Sequence, residues 1–213
     1  MTIGRWPIVV RRTVDAFLAA PHSPVVGRFG YYARLSARDK RTYRKSDEYD
    51  SVELDHPKAL RPIAISLGVA LRAEDRVHVE RISQRLVGDL CTMLNVPWPA
   101  VRVHAVRPSD DYGELHGLYV REEGRRPIIE EWMRTAARGQ VVAHRTFVRT
   151  LMHEVCHHLD FELLDLEDSF HTQGFFQRES SLVRQLLPKQ VREDVREEEE
   201  VEPVEVRQLT LKL

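Results

Sequence analysis

Cysteine is scarce in this chain, with only Cys91 and Cys156 in 213 residues, so a disulfide framework is excluded as its source of stability. Long apolar runs are missing as well. The most apolar early stretch, residues 3–20, is interrupted by Arg11, Arg12 and Asp15, which rules out a membrane span or the uncharged core of a secretory signal there. A short helix packed on the main body is expected instead. Internal repeats are absent. Together these absences suit a protein of a reducing cytoplasm. With 42% apolar residues, the chain has material for one sizeable domain with appendages and too little for two large ones.

An excess of one charge sign is also missing from the total, but not from its parts. Residues 190–205 hold eight acidic and two basic side chains, a local −6 that leaves the rest at +5 against a total of −1. Such a charge run cannot bury enough surface to fold and is expected to be a solvated linker. Residues 28–45 carry seven basic side chains against one acidic, interleaved with Tyr31, Tyr32 and Tyr43. Cations and stacking rings are what a nucleic-acid surface needs, and a solvated helix face is the plainer alternative. Residues 47–55 then turn acidic, and Pro57 and Pro62 read as punctuation before the main domain.

Chemistry concentrates in His153-Glu154-Val155-Cys156-His157. On an α-helix the two histidines lie one turn apart on one face and can bind a metal together, while Glu154 sits on the neighbouring flank, within reach of a water at that metal. Val148, Leu151, Met152, Val155 and Leu159 recur at the spacing of a buried stripe, so one side of the helix is expected to pack inward and the other to face a cleft. A catalytic zinc needs a third protein ligand and one open position. His171 leads for that role, and Glu179, which falls on the apolar stripe of Phe175, Leu182 and Leu186, is the alternative or an outer partner. His104, His116 and His158 read as ordinary residues, Trp98 and Trp132 as core aromatics, and Asp160 as the end of the motif helix, with a hydrogen bond to a ligand imidazole as its alternative.

Around the motif, Val79, Ile82, Leu86, Leu90 and Met93 predict a long helix over 74–95, stopped by Val96-Pro97. Strands are predicted at 101–105, 115–120 and 128–133, and a second amphipathic helix runs to Pro188.

His-Glu-x-x-His followed by His171-x-x-x-Phe175 resembles the SprT-like (Spartan-type) zinc metallopeptidases over about residues 74–188. The resemblance implies an α+β, zincin-like fold: a small mixed sheet with an edge strand along the cleft, a helix carrying the motif, and a following helix supplying the third ligand. It implies zinc as cofactor, His153, His157 and His171 as ligands and Glu154 as catalytic base. The departures are Thr172, where a glycine commonly follows the third histidine, and a long acidic connection over 162–168. The domains expected are a helical and basic extension at 1–60, the peptidase domain at 61–188, and a linker with a terminal peptide at 189–213.

That terminal peptide, Gln208-Leu209-Thr210-Leu211-Lys212-Leu213, resembles the motif by which bacterial DNA polymerases and repair proteins dock on the sliding clamp; a strand returning to the domain is the alternative. Spartan-type peptidases degrade proteins trapped on DNA and are recruited to clamps through tail peptides. The two resemblances together imply a bacterial, cytoplasmic zinc endopeptidase acting on DNA-bound or DNA-crosslinked proteins. The competing class is a clamp- or DNA-associated binding module whose metal helix is structural or vestigial. Peptide deformylase is set aside, because Asp89-Leu90-Cys91-Thr92 does not supply that family's Gly-Cys-Leu-Ser strand.

Overall fold

Alternation of inward apolar and outward polar residues builds the sheet. In the computed structural model, which describes residues 29–111 and 113–188, strand β1 (Ala100–Val106) buries Val101 and Val103 and turns Arg102 outward. It pairs in parallel with β5 (Ile128–Arg134), and β5 pairs antiparallel with β4 (Gly117–Val120), giving the order β1-β5-β4. The sheet is therefore mixed and β4 forms one of its edges. A two-stranded ribbon, β2 (Ser109–Asp110) with β3 (Gly113–Glu114), stands apart from it.

Among the described residues, five helices complete an α+β fold. After a 3-10 turn at Gly30–Arg34 come α1 (Ala37–Asp47), α2 (Pro57–Arg72), α3 (Arg76–Met93), α4 (His144–Glu162) and α5 (Gln173–Leu186). Ser36 caps α1 and Asp75 caps α3, each accepting a backbone N–H three residues on. The stop of α3 is as its sequence predicts: Asn95 takes φ 54° just before Val96-Pro97. Of the two prolines read as punctuation, Pro57 marks a boundary and Pro62 does not. Pro57 opens α2, where its missing N–H costs nothing, and Pro62 is carried inside the same helix.

Helix α4 runs through the middle of the core. Phe147, Val148, Leu151, Met152, Val155, Cys156 and Leu159 are fully buried, as the stripe predicts. The opposite face is closed too, since His153, Glu154 and His157 are 9%, 5% and 3% exposed. The open cleft expected on that side is thus narrow: β4 and β5 cover one flank of α4 and α5 the other. Tyr119 on β4 and Ile129 on β5 face inward beneath it. Trp132 is buried as expected and stacks on its register partner His104, with ring centroids 5.4 Å apart. Trp98 is not a core aromatic: it stays 47% exposed under the guanidinium of Arg126, 3.8 Å from the ring centroid. No helix among the described residues is long and apolar enough to cross a membrane. The readings made on residues 3–20 and 208–213 lie outside the described residues.

Candidate metal centre

His153 and His157 leave α4 one turn apart, and the chain that follows folds back to bring His171 against them. The Nε2 atom of His171 lies 2.9 Å from Nε2 of His153 and 3.1 Å from Nε2 of His157. The three form the single His, Cys, Asp and Glu group among the described residues able to hold a metal ion. His171 stands just ahead of α5 rather than within it. Thr172 caps that helix, its hydroxyl accepting from Phe175 N at 3.0 Å. A cap is what a hydroxyl offers and a glycine lacks, which gives Thr172 a local reason.

The outer hydrogen bonds fix which nitrogen carries the proton in two of the three rings. Nδ1 of His153 faces Glu179 Oε2 at 3.0 Å; a carboxylate only accepts, so Nδ1 holds the hydrogen and Nε2 keeps its lone pair. Nδ1 of His157 lies 2.7 Å from Ser169 Oγ, and that hydroxyl donates to Asp160 Oδ2 at 2.6 Å. Ser169 therefore accepts from His157, whose Nε2 is again bare. At least two lone pairs thus point at one spot, and a hydrogen on His171 Nε2 can satisfy one of them. A cation satisfies all three. Zinc–nitrogen bonds of about 2.0–2.1 Å in a tetrahedron separate the nitrogens by about 3.3 Å, a few tenths more than the spacing found here, so the residues fit zinc.

Electrostatics agree with neutral rings. Burial, together with the other two imidazoles and Arg178, holds His157 well below the ordinary histidine range, and burial beside His153 lowers His171 to about 3. The sign for stability follows. Without metal, the unfolded chain takes up protons near 6.5 while folded His171 resists until about 3, so stability present above 6.5 is lost as pH falls toward 3. Thermal melts in chelator should show Tm declining through that window, with a shallower decline for His171→Ala. Parallel curves for the two proteins would contradict this assignment.

Glu179 does not join the three-histidine group and meets Nδ1 of His153 instead. It is buried, on the far side of the His153 ring from the centre, with Arg149 3.4 Å from its other oxygen. Asp160 corrects a simpler reading as well: it does not merely end the helix but sits fully buried, taking Ser169 on one oxygen and Arg178 on the other at 2.7 Å. Burial raises its carboxyl to about 6 against the opposing pull of Arg178. His158 points away as expected, its Nε2 2.6 Å from Pro97 O and its Nδ1 3.1 Å from the Tyr119 hydroxyl. His104 lies on β1, and His116 just precedes β4.

Glu154 reaches past α4 to the start of β4. A Cβ built on Gly117 would stand 2.4 Å from Glu154 Oε1 and 2.8 Å from Thr150 Cγ2, so only glycine leaves that carboxylate room. Gly117 is the register partner of Glu131, a fully buried acid whose carboxyl is pushed well up by burial and by Glu154 nearby. Ser169, Arg178, Tyr119, Gly117 and Glu131 were not singled out by sequence. Arg178 carried a usable signal, a charge at helical spacing from Phe175 and Leu182 on the stripe that exposed Glu179. Of the three rings of the basic stretch, expected as stacking platforms or as part of a solvated face, Tyr31 and Tyr32 are half-buried and Tyr43 is interior. Tyr43 is fully buried and packs edge-on to Tyr31 and Tyr32, so it is closed to base stacking.

Compared with protein-family models, curated proteins and solved structures, the chain finds no match.

Proposed function

We propose that the protein is a zinc-dependent endopeptidase of the SprT-like type. The observation that carries this reading is the convergence of the His153, His157 and His171 nitrogens with Glu154 on the adjoining flank. His153, His157 and His171 would hold the ion, with Glu179 and the Ser169–Asp160 pair keeping two of the rings in their ligating tautomer. Zinc, when bound, supplies Lewis acidity toward water and a peptide carbonyl. Glu154 takes the proton of the attacking water and passes it to the departing amine. The β4 edge begins at Gly117 beside the Glu154 carboxylate, so a substrate strand added there would bring its backbone to the base with little demand on sequence.

Gly117→Ala tests this placement. The added methyl must displace the Glu154 carboxylate, so zinc affinity should hold while peptide cleavage falls by at least ten-fold; retained cleavage would remove Glu154 from that position.

DNA-bound or DNA-crosslinked proteins are the proposed substrates. Arg34, Arg38, Arg41 and Arg44 are exposed along the 3-10 turn and α1, which supports a phosphate surface. Arg38 is already paired with Glu167, which weakens that support. The segment 208–213 is the proposed tether to a sliding clamp. Purified protein should contain about one zinc and cleave a DNA-crosslinked protein, with chelator abolishing cleavage. Neutralising Arg38, Lys40, Arg41, Arg44 and Lys45 should reduce the salt dependence of DNA binding, and deleting 208–213 should abolish clamp binding alone. A metal-loaded protein inert toward every peptide would favour a structural zinc site, a reading that the burial of His153, Glu154 and His157 supports.

A further inference from the structure

The residues around His171 are held from a distance in sequence that no motif spans. The Tyr31 hydroxyl donates to His171 O at 2.6 Å, across 140 positions. One residue on, Thr172 Oγ1 lies 3.1 Å from Ser46 Oγ. Two residues beyond that, Gly174 N donates to Asp47 Oδ1 at 3.0 Å. The approach is so close that a Cβ on Gly174 would stand 2.6 Å from Ser46 O and 2.7 Å from Tyr49 O, which leaves only glycine there.

The same stretch reaches the second histidine by another route. Arg178 donates from Nη1 to Ser46 O at 2.7 Å and Tyr49 O at 2.6 Å, and from Nη2 to Ser46 Oγ at 3.0 Å and Asp160 Oδ1 at 2.7 Å. Asp160 continues to Ser169 and Ser169 to His157. Ser46 is thus a node between the backbone that carries His171 and the chain of bonds that orients His157.

We propose that residues 31–49 are a built part of the metal centre, with Tyr31 and Ser46 acting as positioning residues for the third ligand. The proposal rests on the metal reading above and goes beyond the His-Glu-x-x-His frame. His171 lies in a connection between two helices, and a backbone there has no helical ladder to fix it. Hydroxyls from the preceding segment do so instead. A ligand held by the fold binds metal without first being ordered, so removing the holder should appear as lost affinity.

Zinc competition titrations on the full-length protein test this with Tyr31→Phe and Ser46→Ala, which delete one hydroxyl each. Each variant should bind zinc about ten-fold or more weakly, with a cobalt absorption spectrum altered from that of the parent. The decisive arm repeats Tyr31→Phe in a His171→Ala background, where zinc affinity should not fall further, because the ligand it positions is gone. Should Tyr31→Phe fold poorly, Ser46→Ala is compared in the same two backgrounds, where its loss of affinity should shrink without His171 and keep only the part that reaches His157 through Arg178 and Asp160. Unchanged affinity in both single variants, or an equal loss with and without His171, overturns the proposal while the metal reading stands. A parent protein that binds no zinc overturns both.

Discussion

Glu154→Gln should leave one zinc bound and reduce peptide cleavage by roughly 10² to 10⁴, the contribution typical of a positioned acid–base group. The two halves of that result come from different features. Metal retention follows because Glu154 is not among the converging atoms, which are all imidazole nitrogens. Loss of cleavage follows because a carboxamide cannot take a proton from water, although it fills the same space beside Gly117. Metal analysis and a quenched peptide assay on one preparation read both. A purely structural site predicts something else: Glu154 would matter for folding, and its replacement would change melting temperature or metal content without any cleavage to lose. Loss of zinc from Glu154→Gln would therefore sink the catalytic assignment.

What sequence made visible, and what it hid, divides along a physical line. Helical phase is local, so His153 and His157 on one face of α4, and the buried stripe of Val148, Leu151, Val155 and Leu159, could be read from spacing alone. The three strands of the main sheet were legible, with β4 shorter than expected because Gly117 rather than Leu115 begins the ladder, while the two-residue strands β2 and β3 were not foreseen. Glu179 announced itself as a carboxylate in an apolar stripe. Its role did not, because a ligand and an outer partner differ only in which side of the imidazole they meet. The opening side of α4 was misjudged for a related reason: polar residues on a helix face indicate solvent only when nothing polar is packed against them, and here a network does so. Tyr31, Ser46 and Tyr49 meet α5 and the His171 loop across more than a hundred positions, a distance at which periodicity carries no information.

That network sets the largest stability effect expected. Arg178→Met should destabilise the protein by about 3–5 kcal/mol, the usual consequence of removing one partner of a buried ion pair. Arg178 and Asp160 are both fully buried, and the lost guanidinium would also strip two backbone carbonyls, Ser46 O and Tyr49 O, of their donor. Arg178→Lys would not repair it, since a point charge cannot serve Asp160 and two carbonyls from one planar fork. The loss should depend on pH. Burial already raises the Asp160 carboxyl to about 6 with Arg178 beside it, and without that cation it must rise further. A folded value above the unfolded one means the folded state binds the extra proton, so stability from this group falls as pH rises through the folded value. The difference between variant and parent should accordingly be smaller at pH 5 than at pH 8, measured by denaturant melts of both proteins at each pH so that shared histidine titration cancels. Adding Asp160→Asn to Arg178→Met should recover part of the loss, because a neutral amide left alone in the interior costs less than a carboxylate. A loss of equal size at both pH values, with no recovery in the double variant, would mean that Arg178 acts through packing and its carbonyl bonds rather than by holding a buried charge.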